Sequence, residues 1–193
     1  WIVKPLPGYL KGLRELCSES GVVLVFDEVK TGFRTALGGY QSVCGVTPDL
    51  SVFGKALANG YPMGAIGGRA DLMDYFVHED PVRRVLIAGT YNAHPVACAA
   101  AVATLEKLSR DGGACFEMLE GRGQQMESGL REVFGASSIT TTVARQGSAF
   151  CVYFMDHQPV DWHDIASHHD FEYDTAYRKK LIDSGVYHFP MPT

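Results

Sequence analysis

An apolar run that ends in an acidic pair constrains the fold of this chain most. Residues 22–26 are apolar and partly β-branched, and they lead directly into Asp27 and Glu28. Such a run predicts a strand over 22–27 that is buried on both faces of a parallel sheet. A second short strand, predicted over 50–53, is followed at once by Gly54 and Lys55. Because open α/β sheets bind ligands beyond the carboxyl ends of their strands, Asp27 and Lys55 are expected to face one crevice.

The rest of the chain continues this alternation of strands and helices. In the first half it predicts an α/β fold with a doubly wound parallel sheet, and in the second half a small α+β domain. The Asp111–Gly113 stretch predicts a helix break, and we place the domain boundary there, with domains at 1–111 and 112–193. Helices are predicted from Pro7-Gly8 to Ser20-Gly21 and over 70–77, 95–108, 115–134 and 174–184, and further strands over 64–68, 85–88, 139–145, 149–154 and 185–189.

Composition narrows the class of protein. The chain has 193 residues, 46% hydrophobic and 20% charged, which is ordinary for a globular α/β protein. Its formal net charge of −5 gives no support for a nucleic-acid or anionic-membrane partner. No apolar run approaches the roughly 18 to 20 residues that cross a bilayer. The five cysteines are widely spaced, which favours free thiols in a reducing compartment and therefore a cytoplasmic location.

A lysine and an aspartate at the same sheet edge are the pair that a pyridoxal 5'-phosphate (PLP) enzyme needs. The aspartate keeps the pyridine nitrogen protonated, and the lysine forms a Schiff base with the aldehyde and later moves a proton. Asp27 and Lys55 are therefore the candidate catalytic residues. Val29 lies on the same side of an extended chain as Asp27 and is expected to pack on the ring. Gly89 and Thr90, ahead of a predicted helix, offer a backbone amide and a hydroxyl to a phosphate.

Other interpretations of these residues stay open at this point. An acidic pair after an apolar strand also occurs in nucleotide-hydrolysing domains, but no Gly-x-x-x-x-Gly-Lys-Ser/Thr loop accompanies it. Arg34 either receives a substrate carboxylate or braces its glycine-rich loop. The histidine- and aspartate-rich segment 161–170 matches no tight ligand spacing, so a solvated loop or helix face is expected there and no metal site.

Taken together, the motifs resemble class III PLP-dependent aminotransferases and, more narrowly, the glutamate-1-semialdehyde 2,1-aminomutase subgroup. The resemblance implies PLP fold type I, Lys55 as the Schiff-base lysine, Asp27 as the partner of the pyridine nitrogen and Val29 against the ring. It also implies a homodimer in which Thr90 binds the cofactor phosphate of the neighbouring protomer, and a small amino-acid or amino-aldehyde substrate. The segments that carry it are 26–34, 38–41, 45–50, 54–55, 60–65, 89–95, 174–175 and 185–187.

Departures from the family pattern shape the remaining expectations. Members are about twice as long, so the chain is expected to be the C-terminal part of the PLP-binding large domain plus an incomplete small domain. A sheet that lacks strands would expose apolar edges. A non-catalytic fragment that keeps only the fold or the dimer surface is therefore the alternative. Lys30 stands where aminomutases often carry methionine, and Asn92-Ala93-His94 is more typical of aminotransferases, so both activities stay open.

Overall fold

The computed structural model describes residues 1–189, which form two compact units. Gly8–Met118 form the first, called here the lysine unit because it contains Lys55. Trp1–Pro7 and the chain from Leu119 onward form the second, called the hairpin unit after its two strands. Both strands and helices are present, which confirms the predicted α/β class. Within residues 1–189, none of the helices is long and apolar enough to cross a bilayer.

The lysine unit contains a three-stranded sheet in the order β1-β2-β3. These strands are Val25–Asp27, Leu50–Phe53 and Ala65–Gly68. β1 and β2 are parallel, as predicted, but β3 runs antiparallel to β2. The prediction of a wholly parallel sheet was therefore wrong for β3. The connection from β2 to β3 is short and holds one helical turn, too little chain for a parallel crossover.

The other regular elements of the lysine unit are helices and 3-10 turns. The predicted helix over 70–77 divides into an α-helix and a 3-10 turn. The predicted strand over 85–88 is absent from the described sheet, and Leu86 within it is 84% exposed. The helices are α1 Tyr9–Glu19, α2 Tyr40–Cys44, α3 Ala70–Met73 and α4 Pro95–Ser109, with 3-10 turns at Lys55–Ala58, Asp74–Phe76 and Arg110–Gly113.

The β1 segment is less buried than its composition predicted. Leu24 is buried, but Val22, Val23 and Val25 are 55%, 45% and 47% exposed. β1 lies at the edge of the described sheet, so only one side has a neighbouring strand. The strand was expected to be buried on both faces, and in this chain it is not. The exposed valines thus lie at an apolar edge of the described sheet.

The Asp49 side chain forms hydrogen bonds that connect the starts of β1 and β2 to neighbouring elements. Its Oδ2 accepts hydrogen bonds from the Leu24 backbone N–H at 2.7 Å and from Arg14 of α1 at 2.8 Å. Its Oδ1 accepts from Arg69, which precedes α3, at 2.9 Å. The Leu24 amide and the two guanidinium groups hold the pKa of the Asp49 carboxyl far below its usual range. One buried carboxylate thus connects a helix, the sheet and the segment after β3.

The hairpin unit is built around an antiparallel pair. β4 Thr142–Gln146 and β5 Ala149–Tyr153 are joined by the two-residue loop Gly147-Ser148, with Gly147 at φ 59°. Helices α5 Ala114–Gly135, α6 Trp162–His168 and α7 Phe171–Asp183 accompany them, and the division between the two units falls within α5. The predicted strand over 185–189 is not formed. Residues 190–193, the end of the predicted small domain, lie outside the described residues.

Both faces of the hairpin carry a core. Tyr153 and Ile165 belong to one buried cluster, and Val152 and Phe154 belong to another. The Tyr153 hydroxyl donates to the Ile2 carbonyl and accepts from the Ile2 N–H, both at 2.8 Å. These bonds fix the first residues of the chain to β5, which explains why Trp1–Pro7 belong to the hairpin unit.

Candidate functional site

Asp27 and Lys55 lie at the carboxyl ends of two neighbouring parallel strands. Asp27 is the last residue of β1 and is in register with Val52 of β2. β2 ends one residue later, and Lys55 begins the 3-10 turn that follows Gly54. The paired register therefore delivers the carboxylate and the amine to one end of the sheet, as the sequence predicted from the strand ends.

The backbone at Lys55 adopts a conformation that is uncommon for a residue with a side chain. Its φ is 44°, in the left-handed region. The next turn anchors this geometry, because Leu57 and Ala58 are buried against Ala101 of α4. Lys55 itself is exposed, and its amine has no hydrogen-bond or ion-pair partner within residues 1–189. Unusual backbone geometry that packing enforces next to an unpaired functional group is typical of ligand sites.

Asp27 presents one carboxylate oxygen that the rest of the described chain does not use. Its Oδ1 accepts from the Val29 backbone N–H at 3.0 Å, while Oδ2 has no partner among residues 1–189. The Val29 side chain lies against the segment before Lys55, since a Cβ added to Gly54 would be 3.4 Å from Val29 Cγ1. Asp27, Val29 and Gly54-Lys55 are thus neighbours at the carboxyl end of these strands.

Glu28 is a structural determinant of the site that the sequence analysis did not single out. It is 1% exposed, and its carboxylate accepts from Thr31 Oγ1 at 2.6 Å, Tyr40 N at 2.9 Å and Gln41 N at 3.1 Å. Gly39 packs so closely that an added Cβ would lie 2.7 Å from Glu28 Oε1. The only available signal was an acidic residue inside an apolar segment, followed by a glycine-rich loop. Glu28 folds that loop back onto the end of β1.

Arg34, in the same loop, has a local structural contact. It is exposed, and its Nε donates to the Lys30 carbonyl at 3.3 Å. This bond braces the loop, one of the two roles expected from the sequence. The remaining guanidinium donors have no partner within the described part of the chain, so they are available to an anionic ligand.

Gly89 and Thr90 lie on a loop ahead of α4, which starts at Pro95 as predicted. α4 begins at Pro95, and a turn in which Asn92 N–H donates to the Gly89 carbonyl at 3.1 Å intervenes. Both residues are exposed, and the Thr90 hydroxyl has no partner within residues 1–189. They offer an exposed amide and hydroxyl on a loop.

A cleft of about 550 Å³ lies next to this loop. One wall is the segment between Lys55 and β3, including Met63 and Gly64, and the other is Tyr91–His94 with the start of α4. Its lining includes neither Asp27 nor Lys55.

Comparison with protein families decides the class of the chain. The family model for class III aminotransferases matches residues 2–191. This chain belongs to the class III aminotransferase family. The match confirms the resemblance drawn from the sequence motifs, and it covers both the lysine unit and the hairpin unit.

Individual relatives agree with the family. Glutamate-1-semialdehyde 2,1-aminomutase 2 of Brevibacillus brevis is 40% identical over 185 residues, which are 96% of this chain and 42% of that protein. The crystal structure of an omega-transaminase from Sphaerobacter thermophilus superposes with a TM-score of 0.81 at 34% identity, over 95% of this chain and 41% of that one. A solved transaminase with PLP bound gives a TM-score of 0.79 at 29% identity, over 94% and 41%. The chain thus spans about two-fifths of the length of the relatives it matches.

Proposed function

We propose that this chain carries the lysine-bearing part of a PLP-dependent enzyme that moves an amino group. The observation that carries the proposal is the exposed Lys55 amine, held by a left-handed backbone at the same end of the sheet as Oδ2 of Asp27, both without a partner among residues 1–189. Membership of the class III aminotransferase family supports it, as does the likeness to a transaminase with PLP bound.

The residues present fit this cofactor. Lys55 supplies an amine for the covalent bond to the aldehyde, and Asp27 supplies a carboxylate oxygen for the protonated ring nitrogen. Val29, which packs against Gly54, supplies an apolar surface for a ring face. PLP, when bound, acts as an electron sink for the substrate carbon. With the cofactor bound, Lys55 would be the group of this chain that takes and returns the proton at that carbon.

The phosphate contact is proposed to cross between protomers. Gly89 and Thr90 are exposed on a loop, and the Thr90 hydroxyl is unpaired within residues 1–189. An exposed loop with an unused donor suits a partner's ligand. We therefore propose a homodimer in which Thr90 donates to the phosphate held by the other protomer.

Both amino-group reactions of the family remain candidates for the parent enzyme. The curated relatives at 39% and 40% identity are named glutamate-1-semialdehyde 2,1-aminomutases, which favours the aminomutase. Solved transaminases match the same chain. A small amino acid or amino-aldehyde is the proposed substrate class in either case, and the cytoplasm is the proposed location.

A fragment without catalytic activity is the second candidate. The exposed valines at β1, an edge strand of the described sheet, and the two-fifths coverage of the relatives favour it. Such a fragment would keep the fold and a dimer surface, and it would bind PLP weakly and independently of Lys55.

A single-turnover assay separates the two candidates. The chain is incubated with PLP and an amino donor, and amino transfer is followed by absorbance. We expect Asp27→Asn to retain covalent PLP but to slow transfer by about 100-fold or more, because the ring nitrogen loses its charged partner. Asp111→Asn, at an exposed position with φ 51° that suits asparagine, is the control. Normal transfer in Asp27→Asn would refute the role of Asp27, and weak PLP uptake that Lys55→Ala leaves unchanged, without amino transfer, would favour the fragment.

A further inference from the structure

A histidine-aspartate-histidine cluster lies in the hairpin unit. Asp164 and His168 are one turn apart on α6, and His157 reaches them from the segment that follows β5. Asp164 Oδ1 is 2.9 Å from His157 Nε2 and 2.9 Å from His168 Nδ1. One ligand atom from each residue falls within 4.8 Å of the other two. Three groups that bind transition metals therefore converge on one point.

The spacing is close to that of a metal centre. Ligand atoms at about 2.0 to 2.1 Å from a tetrahedral ion are roughly 3.3 Å apart. The 2.9 Å hydrogen bonds around Asp164 Oδ1 would need to open by only a few tenths of an ångström. His168 Nδ1 would exchange its 3.0 Å hydrogen bond with the Asp164 carbonyl for the ion. The two histidine nitrogens, which lie within 4.8 Å of each other, would also need to reach that separation by rotation of their side chains.

Neighbouring groups already orient the side chains of His157 and Asp164. His157 Nδ1 is 2.6 Å from Asp156 Oδ1, which leaves Nε2 directed at the cluster. A carboxylate on the far nitrogen of a ligating histidine fixes the ring and makes it a better donor. Asp164 Oδ2 accepts from the Val160 N–H at 2.9 Å, so Oδ1 is the oxygen left for an ion. This outer layer distinguishes the cluster from a chance group of exposed side chains.

We propose that His157, Asp164 and His168 form a divalent transition-metal site, with Zn²⁺ as the fitting ion. Two imidazoles and one carboxylate are a common zinc ligand set, and a fourth position is left for water. The side chains of His157 and His168 are 40% and 55% exposed, so that position is open to solvent. The expectation of a solvated loop or helix face was drawn from 161–170 alone, and His157 lies outside that segment, so only folding brings it close.

Calorimetric titration with Zn²⁺ tests the proposal on the chain prepared without a polyhistidine tag. We expect one saturable site in the parent chain and its loss in His157→Gln and in His168→Gln. His163→Gln is the matched control, because His163 is exposed on the same helix and outside the cluster. Asp156→Asn should weaken the affinity about 10- to 100-fold, because it removes only the carboxylate behind His157.

Titration with Co²⁺ identifies the ligands, since the chain also holds five free cysteines. We expect visible d–d absorption without thiolate charge-transfer bands. Charge-transfer bands would assign the ion to cysteine and overturn the proposal. Equal Zn²⁺ affinity in the parent, His157→Gln and His163→Gln chains would also overturn it, as would no binding by a parent chain whose circular dichroism shows it to be folded.

Discussion

Glu28→Gln should loosen the loop that follows β1 while leaving the shape of the side chain intact. In the native chain Thr31 Oγ1, Tyr40 N and Gln41 N all donate hydrogen bonds to the Glu28 carboxylate. A glutamine side chain brings a donor of its own, the amide NH2, and none of these three groups accepts a hydrogen bond from residue 28 in the native arrangement. If the amide oxygen takes the place of Oε2, the bonds from Thr31 and Tyr40 survive. The amide nitrogen then faces the Gln41 N–H, which loses its acceptor.

The magnitude follows from that one lost bond. A hydrogen bond to a charged group contributes about 1.5 to 3 kcal/mol, so local opening should become about 10- to 150-fold more frequent. Glu28→Ala removes all three bonds and should cost about 4 kcal/mol or more in the stability of the loop.

Amide hydrogen exchange is the suitable assay, because it reports on one loop in a chain with two units. Exchange at Gln41 should accelerate in Glu28→Gln, and exchange at both Tyr40 and Gln41 in Glu28→Ala. Glu19→Gln makes the same chemical change at an exposed site and should leave these amides unaffected. Unchanged exchange at Tyr40 and Gln41 in the alanine variant would refute the reasoning about Glu28.

Two further predictions concern stability. The depressed pKa of Asp49 means that its stabilising contribution is complete above the pKa of an unfolded aspartate, about 3.9, and is lost as the pH falls below that value. Urea midpoints of the lysine unit measured between pH 5 and pH 2 should therefore fall less steeply in Asp49→Asn, and identical slopes would contradict this. Gly123→Ala should destabilise the hairpin unit by about 1 to 3 kcal/mol, because the new Cβ would collide with the Gly147 carbonyl oxygen. Gly129→Ala, on the same helix with open space around it, should instead stabilise by up to about 1 kcal/mol in thermal unfolding.

The sequence predicted the parts of the site that depend on local pattern. The apolar run before Asp27 and the short strand before Lys55 both form strands, and they pair in parallel. Pro95 starts α4, because its fixed φ suits a first helical turn. The break after α4 falls at Asp111–Gly113, where Asp111 and Gly112 adopt positive φ. In each case the signal lies within a few residues of the feature.

The errors arose where distant residues decide the outcome. The direction of β3 depends on the length of its connection to β2, and strand propensity carries no direction. Residues 85–88 have strand composition but no neighbouring strand to pair with in the described sheet, so they stay irregular. Glu28 and His157 acquire their roles from partners that only the folded chain brings near. Local sequence patterns do not reveal such partners.

Intact-mass spectrometry after incubation with PLP and reduction with borohydride shows whether Lys55 forms the covalent bond to the cofactor. We expect one reduced pyridoxyl phosphate group on the parent chain and on Lys30→Ala, an exposed neighbour in the same unit, and none on Lys55→Ala. Peptide mapping should place the group on Lys55. Equal labelling of the parent and Lys55→Ala chains would contradict the assignment of Lys55 as the residue that holds the cofactor.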